Sequence, residues 1–117
     1  MSTQTSESRV TLRKLQERAR GGEKLAMLTC YDASFARISD EAGVDMLLVG
    51  DSLGMVIQGH DSTLPVSLES TEYHVRCVAR GSSRALVVAD MPFGSFQESP
   101  RQAFASCARV MAGARRW

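Results

Sequence analysis

The sequence of 117 residues is poor in aromatics, with one Trp, two Tyr and four Phe, and holds only three prolines, nine glycines and three cysteines. So little proline and glycine excludes a collagen-like or low-complexity chain. No run approaches the ~20 consecutive apolar residues of a membrane span. Met1 to Ser8 are polar, with neither a basic start nor an apolar stretch, so no secretory signal is expected and the reading places the protein in the cytoplasm. Cys30, Cys77 and Cys107 are an odd set without CxxC or Cys/His spacing, which argues against a zinc site or a disulfide framework. Each sits in an apolar stretch and is expected to be a buried free thiol.

Charge of one sign is also missing. The net charge of +1 argues against a general nucleic-acid binder. Only Lys14 and Lys24 are lysines, both near the start. Residues 1–24 carry six basic and three acidic side chains, residues 101–117 carry four basic and no acidic ones, and the stretch between them has a charge of −6. The central carboxylates could hold a cation or simply form a solvated face. With 44% hydrophobic and 23% charged residues, the chain has an ordinary globular composition, and its length suits one domain with a real core.

After a flexible polar tail over residues 1–9, Leu12, Leu15 and Ala19 share one face of a short helix stopped by Gly21-Gly22. Short apolar runs then alternate with helical patterns. Leu25 to Tyr31 is the first run, and Asp32 opens a helix with Phe35, Ile38 and Ala42 on its inward stripe. Met46 to Val49 is the second, ending in Gly50-Asp51-Ser52. A long connection leads to a helix over residues 68–80, with Tyr73 and Cys77 expected inward. Ala85 to Ala89 is the third run, ending at Asp90. In the last helix Ser99 is the expected cap, Pro100 the first position and Gln102 the capping-box partner, with Phe104, Cys107, Ala108 and Met111 as the buried stripe. This alternation predicts an α/β fold: about three parallel strands with crossover helices and an N-terminal helix, the strands buried on both faces.

Parallel strands present their C-terminal ends on one side of the sheet, where such folds bind ligands. Asp32, Asp51 and Asp90 each follow an apolar run, so three carboxylates are expected to converge there, and a hard divalent ion such as Mg²⁺ would relieve their repulsion. Asp32, followed by Ala33-Ser34-Phe35, reads as a helix N-cap in preference to a ligand. Asp51 and Asp90 precede loops with no immediate helix pattern, so capping explains them poorly. The connection over residues 52–67 is longer than the roughly 2–6 residues usual for a βα loop and could wall a pocket. Within it His60 could serve as an acid or base, or as a turn histidine bonded to nearby backbone. His74 falls in a helix pattern and reads as packing or surface.

Several stretches resemble ketopantoate hydroxymethyltransferases: Val49-Gly50-Asp51-Ser52-Leu53-Gly54, Gln58-Gly59-His60-Asp61-Ser62-Thr63-Leu64-Pro65-Val66, Thr29-Cys30-Tyr31-Asp32, Tyr73-His74 and Ala89-Asp90-Met91-Pro92-Phe93. The likeness runs from about Leu12 to Ala114. It implies the N-terminal portion of a (β/α)₈ TIM barrel, with Mg²⁺ as cofactor and 5,10-methylenetetrahydrofolate as cosubstrate. It also implies hydroxymethyl transfer to 3-methyl-2-oxobutanoate, giving 2-dehydropantoate for pantothenate synthesis. By the same resemblance Asp51 and Asp90 are the Mg²⁺ ligands, Asp51, Ser52 and Asp90 contact the keto acid, and the full-length enzyme is a homo-oligomer.

The family's substrate-binding Lys, its further acidic metal ligand and its general-base Glu have no counterpart here, since the sequence reads Arg115-Arg116-Trp117 where the family continues. A truncated barrel domain over residues 10–114 with an aberrant terminus at 115–117 is expected, inactive alone and with no assignable catalytic residue. Two other enzyme or signalling classes share strand-end carboxylates. A C–C lyase or mutase of the isocitrate lyase type is disfavoured by the Gly59-to-Val66 stretch. A receiver-type Mg²⁺-binding domain is disfavoured because no Lys exists beyond Lys24. A non-catalytic remnant is the remaining alternative.

Overall fold

A computed structural model describes residues 8–114. Helix α1 (Leu12–Arg20) is followed by strand β1 (Met27–Thr29), helix α2 (Ala33–Glu41), strand β2 (Met46–Val49), the short helix α3 (Leu53–Val56), helix α4 (Leu68–Gly81), strand β3 (Leu86–Ala89) and helix α5 (Pro100–Gly113). The strands form one parallel sheet in the order β1-β2-β3. Three parallel strands with helical crossovers therefore stand where the apolar runs predicted them. Of the expected tail and terminus, residues 1–7 and 115–117 lie outside the described residues.

Side-chain hydroxyls and carboxylates start the helices by accepting the first free N–H groups. Thr11 caps α1, Asp32 caps α2, Ser67 caps α4 and Ser99 caps α5, with Pro100 in its first turn. The Gln102 side chain departs from the expected capping box. It accepts from the N–H of Glu98 at 3.0 Å, one residue before the cap, and donates to the carbonyl of Gly94 at 2.8 Å.

Helix α4 packs against α2, α5 and strands β2 and β3, so these helices lie together over one face of the sheet. Leu47 and Val49 of β2 turn into that layer and are fully buried, joined by Ala36, Leu53, Val66, Val75, Val78, Ala85 and Val110. Among the described residues nothing comparable covers the opposite face. On that face Met27 of β1 is about half exposed and β2 shows its half-buried positions, while β3 is half-buried throughout; on β1 even Leu28, level with Leu47 on the helix side, is about half exposed. Burial of the strands on both faces, expected from their unbroken apolar runs, is therefore not found.

The helix faces differ from expectation in a consistent way. In α2 the inward residues are Ala36 and Asp40, while Phe35 and Ile38 are exposed. In α4 they are Thr71, Val75, Val78 and Ala79, with Tyr73 exposed and Cys77 half-buried. In α5 they are Ser106 and Val110, whereas Phe104 and Met111 are exposed at 77% and 74%. Close approach of the helices explains the substitution of small residues for large. A Cβ on Gly81 of α4 would lie 2.7 Å from Cα and 2.8 Å from the carbonyl carbon of Ala33 in α2, closer than atoms pack. Cys107, on the same outward stripe, is exposed rather than buried, and only Cys30 of the three free thiols is fully enclosed.

Two buried carboxylates tie the other end of the sheet together. Asp40 of α2 accepts from the N–H groups of Ser83 (2.9 Å), Arg84 (3.2 Å) and Ala85 (2.7 Å) as the chain enters β3. Asp45 accepts from Arg18 of α1 at 2.6 Å and from the N–H of Ala26 at 2.9 Å, fixing α1 beneath β1 and β2. Burial alone would raise the pKa of Asp40, but its three backbone donors and the Ser83 hydroxyl together hold it below the usual carboxylate value. The Arg18 guanidinium does the same for Asp45.

Candidate active site

The ladder continues one step past each strand at the C-terminal end. The N–H of Cys30 donates to Leu48 O and that of Asp90 to Val49 O, both at 2.9 Å. With Val49 opposite Ala89, Asp90 stands beside Gly50 and Asp51 follows one residue on. Neighbouring parallel strands lie about 4.8 Å apart, so Asp51 and Asp90 leave adjacent strands on the same rim. Asp51 is half-buried and Asp90 exposed. Neither carboxylate has a hydrogen-bond or ion-pair partner among the described residues.

Asp32 reaches the same rim but is committed locally. Its Oδ1 accepts the N–H of Phe35 at 2.8 Å as the cap of α2. Among the described residues no group of three or more His, Cys, Asp or Glu is placed to share a metal, so the three carboxylates leave one side of the sheet as expected but do not form a three-carboxylate site. Two unpartnered carboxylates remain. They suit a hard cation of the Mg²⁺ kind, which takes one or two protein carboxylates and completes its shell with water or ligand oxygens.

Ser52 lies between them in sequence, and its local structure is unusual. The expected bare loop after Asp51 instead contains α3, with Ser52 at its N-cap position in helical conformation (φ −57°, ψ −16°) and no side-chain capping bond. Its hydroxyl turns away to the Tyr31 phenol, Oγ to Oη 2.7 Å. Tyr31, just past β1, is held in turn by His74 of α4, whose Nδ1 lies 2.8 Å from the Tyr31 carbonyl oxygen. A carbonyl only accepts, so Nδ1 carries the proton. Sequence reasoning gave neither residue a role at the site. Tyr31 and His74 are 43 positions apart, and no local pattern signals a bond of that span.

The flanking loops are pinned by their own side chains. Leu53 is fully buried, and a Cβ at Gly54 would collide with Val66, which seats α3 against the end of the long connection. In that connection the N–H of His60, not its ring, makes the described turn contact, donating to Gly54 O at 2.8 Å, and its side chain is exposed. After β3, buried Pro92 is followed by Gly94, whose φ of 87° suits only glycine without strain. Ser95 Oγ donates to Pro92 O and Ser106 Oγ to Ser95 O, both at 2.6 Å, so α5 fixes the path of the loop leaving Asp90. Beside Asp90 an open cavity of about 360 Å³ is lined by Ala89, Met91, Phe96, Ala103 and Cys107. Burial pushes the Cys30 thiol up, so it is protonated near neutral pH and is no nucleophile for this rim.

The ketopantoate hydroxymethyltransferase family model matches residues 9–116. Proteins named 3-methyl-2-oxobutanoate hydroxymethyltransferase are similar over most of this chain. The one from Thiobacillus denitrificans is 65% identical over 103 residues, or 88% of this chain and 39% of its own length. That from Nitrosomonas europaea is 58% identical over 109 residues, 93% of this chain and 40% of its length. That from Dechloromonas aromatica is 58% identical over 112 residues, 96% of this chain and 41% of its length. The chain thus spans about 40% of the length of the curated relatives it matches.

Proposed function

The chain belongs to the ketopantoate hydroxymethyltransferase family, and from that premise we propose that its rim is the metal- and keto-acid-binding part of a larger (β/α)₈ active site. In this reading Asp51 and Asp90 hold Mg²⁺, and Asp51, Ser52 and Asp90 face 3-methyl-2-oxobutanoate. The activity of the whole enzyme is transfer of the one-carbon unit of 5,10-methylenetetrahydrofolate to that acid, giving 2-dehydropantoate. The enzyme would work as a cytoplasmic homo-oligomer, and no helix among the described residues is long and apolar enough to cross a membrane.

The observation that carries the reading is the pair of unpartnered carboxylates on adjacent strand ends. A carboxylate pair left free beside ordered loops keeps its charge for a cation instead of for the fold. A bound Mg²⁺ supplies positive charge that makes the carbon beside the substrate's keto group easier to deprotonate. This chain's residues then have limited tasks. Asp51 and Asp90 fix the position of positive charge, the Ser52 hydroxyl offers a neutral donor to an anionic ligand, and the pinned loops keep both in place. No residue of the rim is assigned the proton-abstracting base.

Calorimetric or ligand-observed NMR titration of the 117-residue chain tests this. Binding of 3-methyl-2-oxobutanoate is expected only with Mg²⁺ present, weakly, and is expected to vanish in Asp90→Ala. Folate-dependent formation of 2-dehydropantoate is expected to stay at background. Tight Mg²⁺ binding that survives Asp90→Ala would overturn the ligand assignment, and product formation by the purified chain would overturn its reading as inactive alone.

A further inference from the structure

Ser52 occupies a helix N-cap yet makes no capping bond. The first-turn N–H groups of Leu53, Gly54 and Met55 already donate to the carbonyls of Gly50, Asp51 and Ser52, so no helix donor is left for the serine side chain. The hydroxyl instead meets the Tyr31 phenol at 2.7 Å, while Tyr31 is held through its carbonyl by His74 Nδ1 at 2.8 Å. Three elements thus converge on one small side chain: the end of β1, the start of α3 and the middle of α4.

We infer that Tyr31 is a positioning residue for the anionic ligand: its phenol donates to Ser52 Oγ, so that the serine proton is presented to the keto-acid carboxylate, and His74 sets the height of the phenol. The inference rests on the keto-acid reading above. A phenol is a stronger acid than an alcohol, so it is the better donor of the pair. Facing an anion, the order phenol O–H to serine O–H to carboxylate lets each bond polarise the next. In the reverse order the serine would present only lone pairs to a negative group, and the contact would be repulsive.

The test measures two affinities in parallel on the 117-residue chain, for Mg²⁺ alone and for 3-methyl-2-oxobutanoate with Mg²⁺ saturating, with the thermal midpoint as a folding control. Tyr31→Phe removes only the phenol oxygen. It is expected to weaken the keto acid roughly 3- to 10-fold while leaving Mg²⁺ binding and the midpoint unchanged. Ser52→Ala is expected to weaken it at least as much, and the double variant no further. His74→Leu is expected to reproduce the loss, and His74→Asn, whose amide N–H stands close to Nδ1, to restore most of it. Equal keto-acid affinity in Tyr31→Phe and the parent, with Ser52→Ala impaired, would overturn this inference and leave the functional reading intact. Parallel loss of Mg²⁺ and keto-acid binding in Tyr31→Phe would reduce Tyr31 to a structural part and overturn it too. Absence of keto-acid binding by the parent chain would overturn both.

Discussion

Asp40 is the buried charge on which the sheet most depends. The residue is 8% exposed, on the inner face of α2, and receives three backbone N–H groups and the Ser83 hydroxyl. Asp40→Asn keeps the shape but replaces one acceptor oxygen with an NH₂ group aimed at other donors. Hydrogen bonds to a charged group are each worth about 1.5–3 kcal/mol net, and a buried group left without its bond costs about 1–3 kcal/mol. Ser83 is exposed and its N–H can turn to water, whereas Ala85 is fully buried and its N–H cannot. The expected loss is therefore about 2–4 kcal/mol, less than the sum of all the bonds.

Urea unfolding followed by circular dichroism measures this directly. With a slope of about 1.5–2 kcal/mol per molar for a chain of this size, the midpoint should fall by about 1–2.7 M. The pH dependence identifies the cause. Asp40 titrates below its ordinary value in the folded chain, so its contribution is present in full above the unfolded value near 4 and is lost as pH falls through the folded one. The amide introduced by Asp40→Asn does not titrate. The stability gap between parent and variant should therefore be widest at about pH 6–7 and close steadily below about pH 4. Asp45 titrates alike in both proteins and cancels. A gap under about 0.5 kcal/mol at pH 7, or one that stays constant down to about pH 3, would refute the assignment of the energy to the ionised carboxylate.

Gly81→Ala should destabilise the chain by about 2 kcal/mol or more by thermal unfolding, because its new methyl meets backbone of Ala33 that cannot move without shifting α2. A variant as stable as the parent would show that the α2–α4 contact is looser than described. Asp45→Asn should cost about 1–3 kcal/mol, since Asp45 is 5% exposed and loses both the Arg18 bond and ionised acceptance from Ala26, and α1 should become the segment of fastest amide exchange. Protection of α1 unchanged in that variant would rule out Asp45 as its anchor.

The elements and their order were legible because each carries its own punctuation. Asp32 and Ser99 can be read as caps from composition alone, and Gly43 and Gly81 mark real helix ends. The rim was legible for the same reason, since an aspartate directly after an apolar strand needs no tertiary information to be placed at a C-terminal edge. Packing was less so. Apolar period identifies the residues that gain most from leaving water, but which face lies inward is decided by how closely neighbours approach. At the α2–α4 contact only small groups fit, so Ala36 and Gly81 go inside while Phe35 and Ile38 do not. Asp40 shows the stronger form of this effect, because a charged residue on the inward face is tolerated only when distant N–H groups meet it, and Ser83 to Ala85 are more than 40 positions away.

The same distinction separates the visible part of the site from the hidden part. Asp51 and Asp90 could be proposed because their role depends on strand ends, which are local features. Tyr31 and His74 depend on where α4 sits over β1, a consequence of small-residue packing that the apolar stripe misreports. Had Tyr73 and Cys77 been the inward face of α4, as their spacing suggested, the helix would be rotated and His74 would not lie within reach of the Tyr31 carbonyl. The face that packs α4 through Thr71, Val75 and Val78 thus also sets the height of a phenol over the serine at the rim. A substitution that rerolls α4, such as a large residue at Thr71, should therefore disturb Ser52 without touching it.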